Sequence, residues 1–90
     1  MITRITQEGV SGGEIKETAS DQFNSEKALI VFFESINTGF NPILIKGNKI
    51  VLEQYISPES DTARYYVIYE IFTGPVTEMK QLIALVKTIE

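Results

Sequence analysis

The hydrophobic positions of this chain fall into short runs at 2–6, 28–33, 43–56 and 62–72, followed by one amphipathic segment over 76–89. The run ALIVFF at 28–33 is apolar throughout and rich in β-branched and aromatic residues, which predicts a strand buried on both faces. ITRIT at 2–6 has the composition of a short edge strand. The pattern therefore predicts several strands before a helix closes the chain.

The most specific local signal is the dipeptide Gly47-Asn48, which lies between Lys46 and Lys49. Two such residues between strands indicate a hairpin, and the leading glycine predicts a type II′ turn with positive φ at Gly47. The first strand should begin near Pro42, because the residue before a proline is pushed away from helix. The expected pairs are Lys46 with Lys49, Ile45 with Ile50, Leu44 with Val51 and Ile43 with Leu52.

The run TARYYVIYEIF over 62–72 is apolar on both faces and predicts a further strand. Pro75 then suits the first turn of a helix. One stripe of that helix is apolar and contains Val76, Met79, Leu82, Ile83, Val86 and Ile89. We therefore expect an α+β domain, with a mainly antiparallel sheet of four to five strands and the C-terminal amphipathic helix on one face.

The segment 7–27 is polar and glycine-bearing, with Ile15 and Phe23 as its isolated apolar residues. Three interpretations stay open: a mobile loop, a short helix begun by Ser20 or Asp21 as its N-cap, or a segment that orders only on a partner. Since no linker, repeat or low-complexity tract divides the chain, residues 1–90 are expected to form one domain.

The predicted strands carry more apolar surface than one helix can cover. Leaving several such side chains in water costs several kcal/mol at about 25 cal/mol per Å², which is comparable with the stability of a small domain. The cover could come from the 7–27 segment, from a second copy of the chain or from a different protein. The predicted partner-binding set on this second face is Leu44, Val51, Tyr55, Tyr66, Ile68 and Phe72.

Composition and charge narrow the classes of function. A hydrophobic fraction of 43% with 22% charged residues is typical of a folded globular chain. The net charge of -4 makes nucleic acid an unlikely partner, because phosphate contacts need a concentrated positive field. The N-terminus has no basic segment followed by an apolar core, and no apolar run approaches the length of a membrane span. We therefore expect a cytoplasmic protein without a membrane partner.

The chain has no histidine and no cysteine, so the usual zinc ligands, the usual neutral-pH base and any disulfide are missing. Its acidic residues are scattered without the spacing of a metal site, and nothing marks an activating base for a serine nucleophile. We expect no catalytic residue, no metal and no cofactor, and hence a protein that is not an enzyme.

Two classes of function remain. The first is a small interaction protein that acts by occlusion, either as a homodimer or as a binder of another protein. Phages and mobile elements use compact chains of this kind as inhibitors of host enzymes or defence systems. The alternative is a module that binds or sequesters a small anionic ligand such as a nucleotide, because aromatic rings and guanidinium planes stack on bases. Its candidate ligand-binding residues are Lys46, Lys49, Arg64, Tyr65 and Tyr69.

Overall fold

The computed structural model of the chain describes residues 1–35, 39–56 and 65–87. The elements are β1 (Ile2–Val10), β2 (Ile15–Phe23), α1 (Glu26–Ser35), β3 (Asn41–Lys46), β4 (Lys49–Ile56), β5 (Tyr66–Thr73) and α2 (Val76–Lys87). The five strands form one antiparallel sheet in the order β2-β1-β5-β4-β3. The predicted α+β class is therefore confirmed.

Both helices pack on the same face of this sheet, where they enclose the hydrophobic core. Phe72 of β5 lies opposite Ile50 of β4, and both side chains are fully buried. The ring of Phe33 meets Phe72 edge to face, with 6.4 Å between the ring centroids. The core contains Ile2, Leu29, Phe33, Ile50, Leu52, Phe72, Met79, Leu82 and Val86. The predicted position of the C-terminal helix is confirmed, and α1 lies beside it.

The predicted strand over 28–33 is wrong, because this segment belongs to α1. The hydroxyl oxygen of Ser25 accepts a hydrogen bond from the amide of Ala28 at 3.2 Å and so caps the helix. Leu29 and Phe33 are one turn apart and buried, whereas Val31 is 60% exposed. Six apolar residues are too few for periodicity to separate a strand from a helix, and the serine cap was the usable signal.

Ser25→Ala should lower the free energy of unfolding by about 1 kcal/mol, because it removes the acceptor that satisfies a free helical amide. Urea denaturation measures this change. Ser20→Ala on the exposed strand β2 is the matched control and should stay within about 0.5 kcal/mol of the parent chain. Equal losses in the two variants would contradict a capping role for Ser25.

The chain between residues 7 and 27 is mostly strand, which overturns the predicted loop or short helix begun by Ser20 or Asp21. β1 is also not an edge strand, because it lies between β2 and β5. All side chains of β2 except that of Phe23 are exposed, so backbone pairing holds most of this strand and no apolar alternation marks it in the sequence. At Gly9 the pairing is close, since a Cβ there would lie 2.2 Å from the carbonyl oxygen of Glu14.

The β3–β4 hairpin forms as predicted near its turn and differs farther from it. The pairs confirmed are Lys46 with Lys49, Ile45 with Ile50 and Leu44 with Val51. A register shift then places Pro42, rather than Ile43, opposite Leu52, and leaves Ile43 53% exposed. Proline has no amide hydrogen for the strand ladder, which explains an irregularity at this point. Gly47 does not have positive φ, so the predicted type II′ turn is wrong.

The predicted strand over 62–72 corresponds to β5, although its first positions, 62–64, lie outside the described residues. The carbonyl oxygen of Pro75 accepts hydrogen bonds from the amides of Glu78 at 3.1 Å and Met79 at 3.0 Å, which starts α2. The proline thus lies at the beginning of the helix as predicted.

Candidate functional site: the open face of the sheet

The sheet has a second face, opposite the one on which the helices pack. Successive side chains of a strand point to opposite faces, so the neighbours of core residues such as Ile50 and Phe72 point away from the helices. No helix of the described part of the chain lies over this surface, which we call the open face. Its residues on the four strands β1, β5, β4 and β3 are Thr3, Ile5, Gln7, Val67, Tyr69, Ile71, Thr73, Lys49, Val51, Glu53, Tyr55, Lys46, Leu44 and Asn41.

The pairing register arranges these side chains in rows across the strands. One row, which we call the apolar row, consists of Ile5, Ile71, Val51 and Leu44, all of them partly exposed. On one side lies the lysine row, which consists of Thr3, Thr73, Lys49 and Lys46. On the other side lies the glutamate row, which consists of Gln7, Tyr69, Glu53 and Asn41. The open face therefore has an aliphatic centre between two polar margins.

The two margins of the apolar row carry opposite charges. Lys46 and Lys49 are cross-strand neighbours, and both side chains are exposed. Glu53 lies on the other side of the row, opposite Tyr69 on the neighbouring strand. Burial first, and hydrogen bonding to Glu53 second, raise the pKa of Tyr69 above its ordinary value of 10.0, so the phenol stays protonated at neutral pH. The open face is thus positive along one margin and negative along the other.

One end of the open face is aromatic. The rings of Tyr55 and Tyr65 meet edge to face with 6.0 Å between their centroids, and the two side chains are 53% and 47% exposed. Val67 lies opposite Tyr55 on the neighbouring strand and is almost fully buried. This end therefore presents large aromatic side chains that keep a polar hydroxyl, a type of residue enriched at protein interfaces.

The structure divides the predicted partner-binding set between the two faces of the sheet. Leu44, Val51 and Tyr55 lie on the open face, as expected. The other three predicted residues, Tyr66, Ile68 and Phe72, lie on the face that the helices share, so grouping them with Val51 was wrong.

The error lies in the register between β4 and β5. Residues 57–65 separate these two strands in the sequence, so their pairing cannot be derived from a two-residue turn in the way that it can for β3 and β4. Ile71 takes that place, and Tyr69 and Val67 continue the open face along β5.

The residues of the predicted anionic-ligand site are not brought together. Lys46 and Lys49 lie on one side of the apolar row, whereas Tyr69 lies on the other side and Tyr65 lies farther along, against Tyr55. Arg64 lies outside the described residues. Since four aliphatic side chains separate the lysines from the tyrosines, this geometry gives the nucleotide alternative no support.

Sequence reasoning missed a buried polar network on the face that the helices share. Glu70 accepts hydrogen bonds from the Thr6 hydroxyl at 2.8 and 3.0 Å, and Nη1 of Arg4 lies 3.5 Å from Oε2 of Glu70. Arg4 also pairs with Asp21, and its guanidinium lies 4.5 Å from the centroid of the Phe32 ring. Because Arg4, Thr6 and Glu70 are buried and contact one another inside the chain, with only Nε of Arg4 left without a hydrogen bond, we assign the network to stability rather than to binding.

Burial raises the pKa of Glu70 above its ordinary value of 4.5, while the Thr6 hydrogen bond and the charge of Arg4 lower it in part. The available sequence signal was a charged residue inside each of two predicted strands, Arg4 in ITRIT and Glu70 in YEIF. The two charges are far apart in sequence, so only the β1–β5 pairing reveals that they meet.

Comparisons with known proteins assign no family to this chain. No family model matches it, and no curated protein or solved structure matches it at a level that indicates relationship. Within residues 1–35, 39–56 and 65–87, neither helix is long and apolar enough to cross a membrane.

Proposed function

We propose that this chain is a protein-interaction module that binds a protein surface with its open face. The apolar row is the observation that carries the proposal. It places four aliphatic side chains next to one another on a sheet face that no described helix covers. Sheets with apolar residues on both faces bury the second face against another surface, because exposed contiguous apolar area is costly in water.

The surroundings of the apolar row also support an interface. Protein interfaces have an apolar centre, a polar rim and an excess of tyrosine. The open face has this composition, with the lysine and glutamate rows as its rim and Tyr55 and Tyr69 among its aromatic residues. A module of this kind acts by occlusion, since whatever lies beneath the face is shielded from other partners.

Binding by occlusion is how small protein inhibitors act, and the sequence composition favours binding over chemistry. Inhibition of a host enzyme or defence system, an origin in a phage or mobile element, and a cytoplasmic location stay predictions from the sequence. The proposed function itself is narrower and concerns the open face alone.

Val51→Asp should abolish the retention of protein partners by the immobilised chain. The new carboxylate lies in the centre of the apolar row and would have to lose its hydration on binding, which weakens affinity by about tenfold or more. The measurement compares the proteins that the immobilised parent chain and the immobilised variant retain from a native extract. A parallel experiment replaces the extract with free parent chain, which tests whether the chain binds itself.

Val31→Asp is the matched control for this experiment, because Val31 lies on α1 and is 60% exposed on the opposite side of the molecule. It should retain the same proteins as the parent chain. Circular dichroism and thermal unfolding establish that both variants are folded. If Val51→Asp retained every protein that Val31→Asp retains, the open face would not be the binding surface.

A further inference from the structure

The charges of the open face are arranged so that the face is complementary to itself. Lys49 and Glu53 lie on β4 at equal distances on either side of Val51, about 13 Å apart along the strand. A second copy can face the first about a two-fold axis that runs along the apolar row. This axis places the glutamate row of each copy over the lysine row of the other. Lys49 of each copy then faces Glu53 of the other, so the dimer contains this contact of opposite charges twice.

Resting on the proposed function, we infer that the open face binds a second copy of this chain, packed face to face about a two-fold axis along the apolar row. Each member of the row then meets its own counterpart. Facing sheets lie about 10 Å apart and cross at about 30° because of their twist, with interdigitating side chains. Ile71 and Val51 lie nearest the middle of the apolar row, so this crossing displaces them least.

The remaining positions of the two margins are compatible with the same axis. Thr73 faces Tyr69, Thr3 faces Gln7, and Lys46 faces Asn41, so no like charges are brought together. A two-fold axis along the strands would instead place Lys49 and Glu53 opposite uncharged residues. Charge complementarity therefore favours the axis along the apolar row over the axis along the strands.

The size of the strip that two copies share sets the expected affinity. The apolar row lies two residues from one end of β4 and β5 and five residues from the other end, so facing copies overlap over about five residues of each strand, or about 16 Å. Four strands spaced by about 4.8 Å make this strip about 19 Å wide, so the two copies bury about 600 Å² of strand surface, which is below the range of stable interfaces. The expected assembly is therefore a weak dimer that forms at high concentration.

The test uses the purified chain and measures its mass by size-exclusion chromatography with light scattering over a series of loading concentrations. The mass of the parent chain should rise with concentration from that of a monomer towards that of a dimer. Lys49→Glu alone and Glu53→Lys alone should each raise the dissociation constant by about tenfold or more, because each substitution creates two facing pairs of like charge. Equal amounts of the two variants, when mixed, should recover the dimer, since one variant then presents two carboxylates to the two ammonium groups of the other.

Lys80→Glu supplies the control, because Lys80 is exposed on α2, away from the open face, and its reversal should leave the dimer unchanged. Three results would overturn the inference: a monomeric parent chain at every concentration, a dimer that tolerates both charge reversals, or two dissociated variants that mixing does not restore. Recovery in the mixture cannot follow from damage to the fold of either variant. If the inference fails while Val51→Asp still abolishes the binding of another protein, the proposed function stands; if that variant retains all partners, the proposed function fails independently.

Discussion

Phe72→Ala should lower the free energy of unfolding by about 3–5 kcal/mol, because it empties the centre of the core. Phe72 is 0% exposed, lies opposite Ile50 and meets the rings of Phe32 and Phe33 edge to face, with centroids 6.5 and 6.4 Å away. A loss of this size is a large share of the stability of a small domain. Urea denaturation followed by circular dichroism measures it.

Tyr55→Ala is the control for this prediction, since it removes a large ring that is 53% exposed on the open face. It should change the unfolding free energy by about 1 kcal/mol or less. The comparison also tests the assignment of Phe72 and Tyr55 to opposite faces of the sheet, since the sequence pattern had placed both on one face. A mild effect of Phe72→Ala together with a severe effect of Tyr55→Ala would contradict this assignment of the core.

Arg4→Met should lower the free energy of unfolding at neutral pH by about 3–5 kcal/mol, because it leaves the carboxylate of Glu70 buried without its cation. Methionine keeps much of the volume of the arginine stem and removes the guanidinium that lies over Phe32, so the loss reports the cation rather than a cavity. Urea denaturation over a series of pH values from acidic to neutral gives both the size of the effect and its pH dependence.

The pH dependence follows from the raised pKa of Glu70, which burial causes. As the pH rises, the unfolded chain loses this proton first, so the folded state holds more protons between the two pKa values. The contribution of Glu70 to stability is therefore complete below about its ordinary value of 4.5 and is lost as the pH rises through the raised folded value. Without Arg4 the folded pKa rises further, so the loss becomes larger and extends to higher pH.

The double variant Arg4→Met with Glu70→Gln is the control, because it removes both the cation and the titrating acid. It should be more stable than Arg4→Met alone at neutral pH, and the pH dependence due to residue 70 should disappear. Superimposable pH profiles for the parent chain and Arg4→Met would show that Arg4 does not govern the ionisation of Glu70.

The sequence was sufficient where local chemistry decides the structure. The β3–β4 hairpin follows from the turn residues Gly47 and Asn48, and α2 follows from its helical stripe after Pro75. It was insufficient where the deciding interactions are non-local or short. The exposed strand β2 is held by its pairing with β1, and the apolar run of α1 is as compatible with a strand as with a helix.

The sequence predicted an apolar strand face as the candidate site, but it identified only some of the residues on that face. The sequence predicted that Leu44, Val51 and Tyr55 share one face of the sheet, and they do lie together on the open face. The contribution of Ile71 depends on the pairing of β5 with β4, which the sequence between the two strands does not reveal. The position of Lys49 and Glu53 on opposite sides of the apolar row likewise becomes evident only when the strand pairing defines that row.

The central position of β5 has a consequence for the order of folding. β1 pairs with β5 so that Thr3 lies opposite Thr73, and the β1–β2 hairpin reaches the rest of the sheet only through this pairing. Contacts between such distant positions form slowly, because the chain loses the entropy of closing a long loop before the strand hydrogen bonds form. During synthesis on the ribosome, the second edge of β1 therefore stays without its partner strand until residue 73 has emerged.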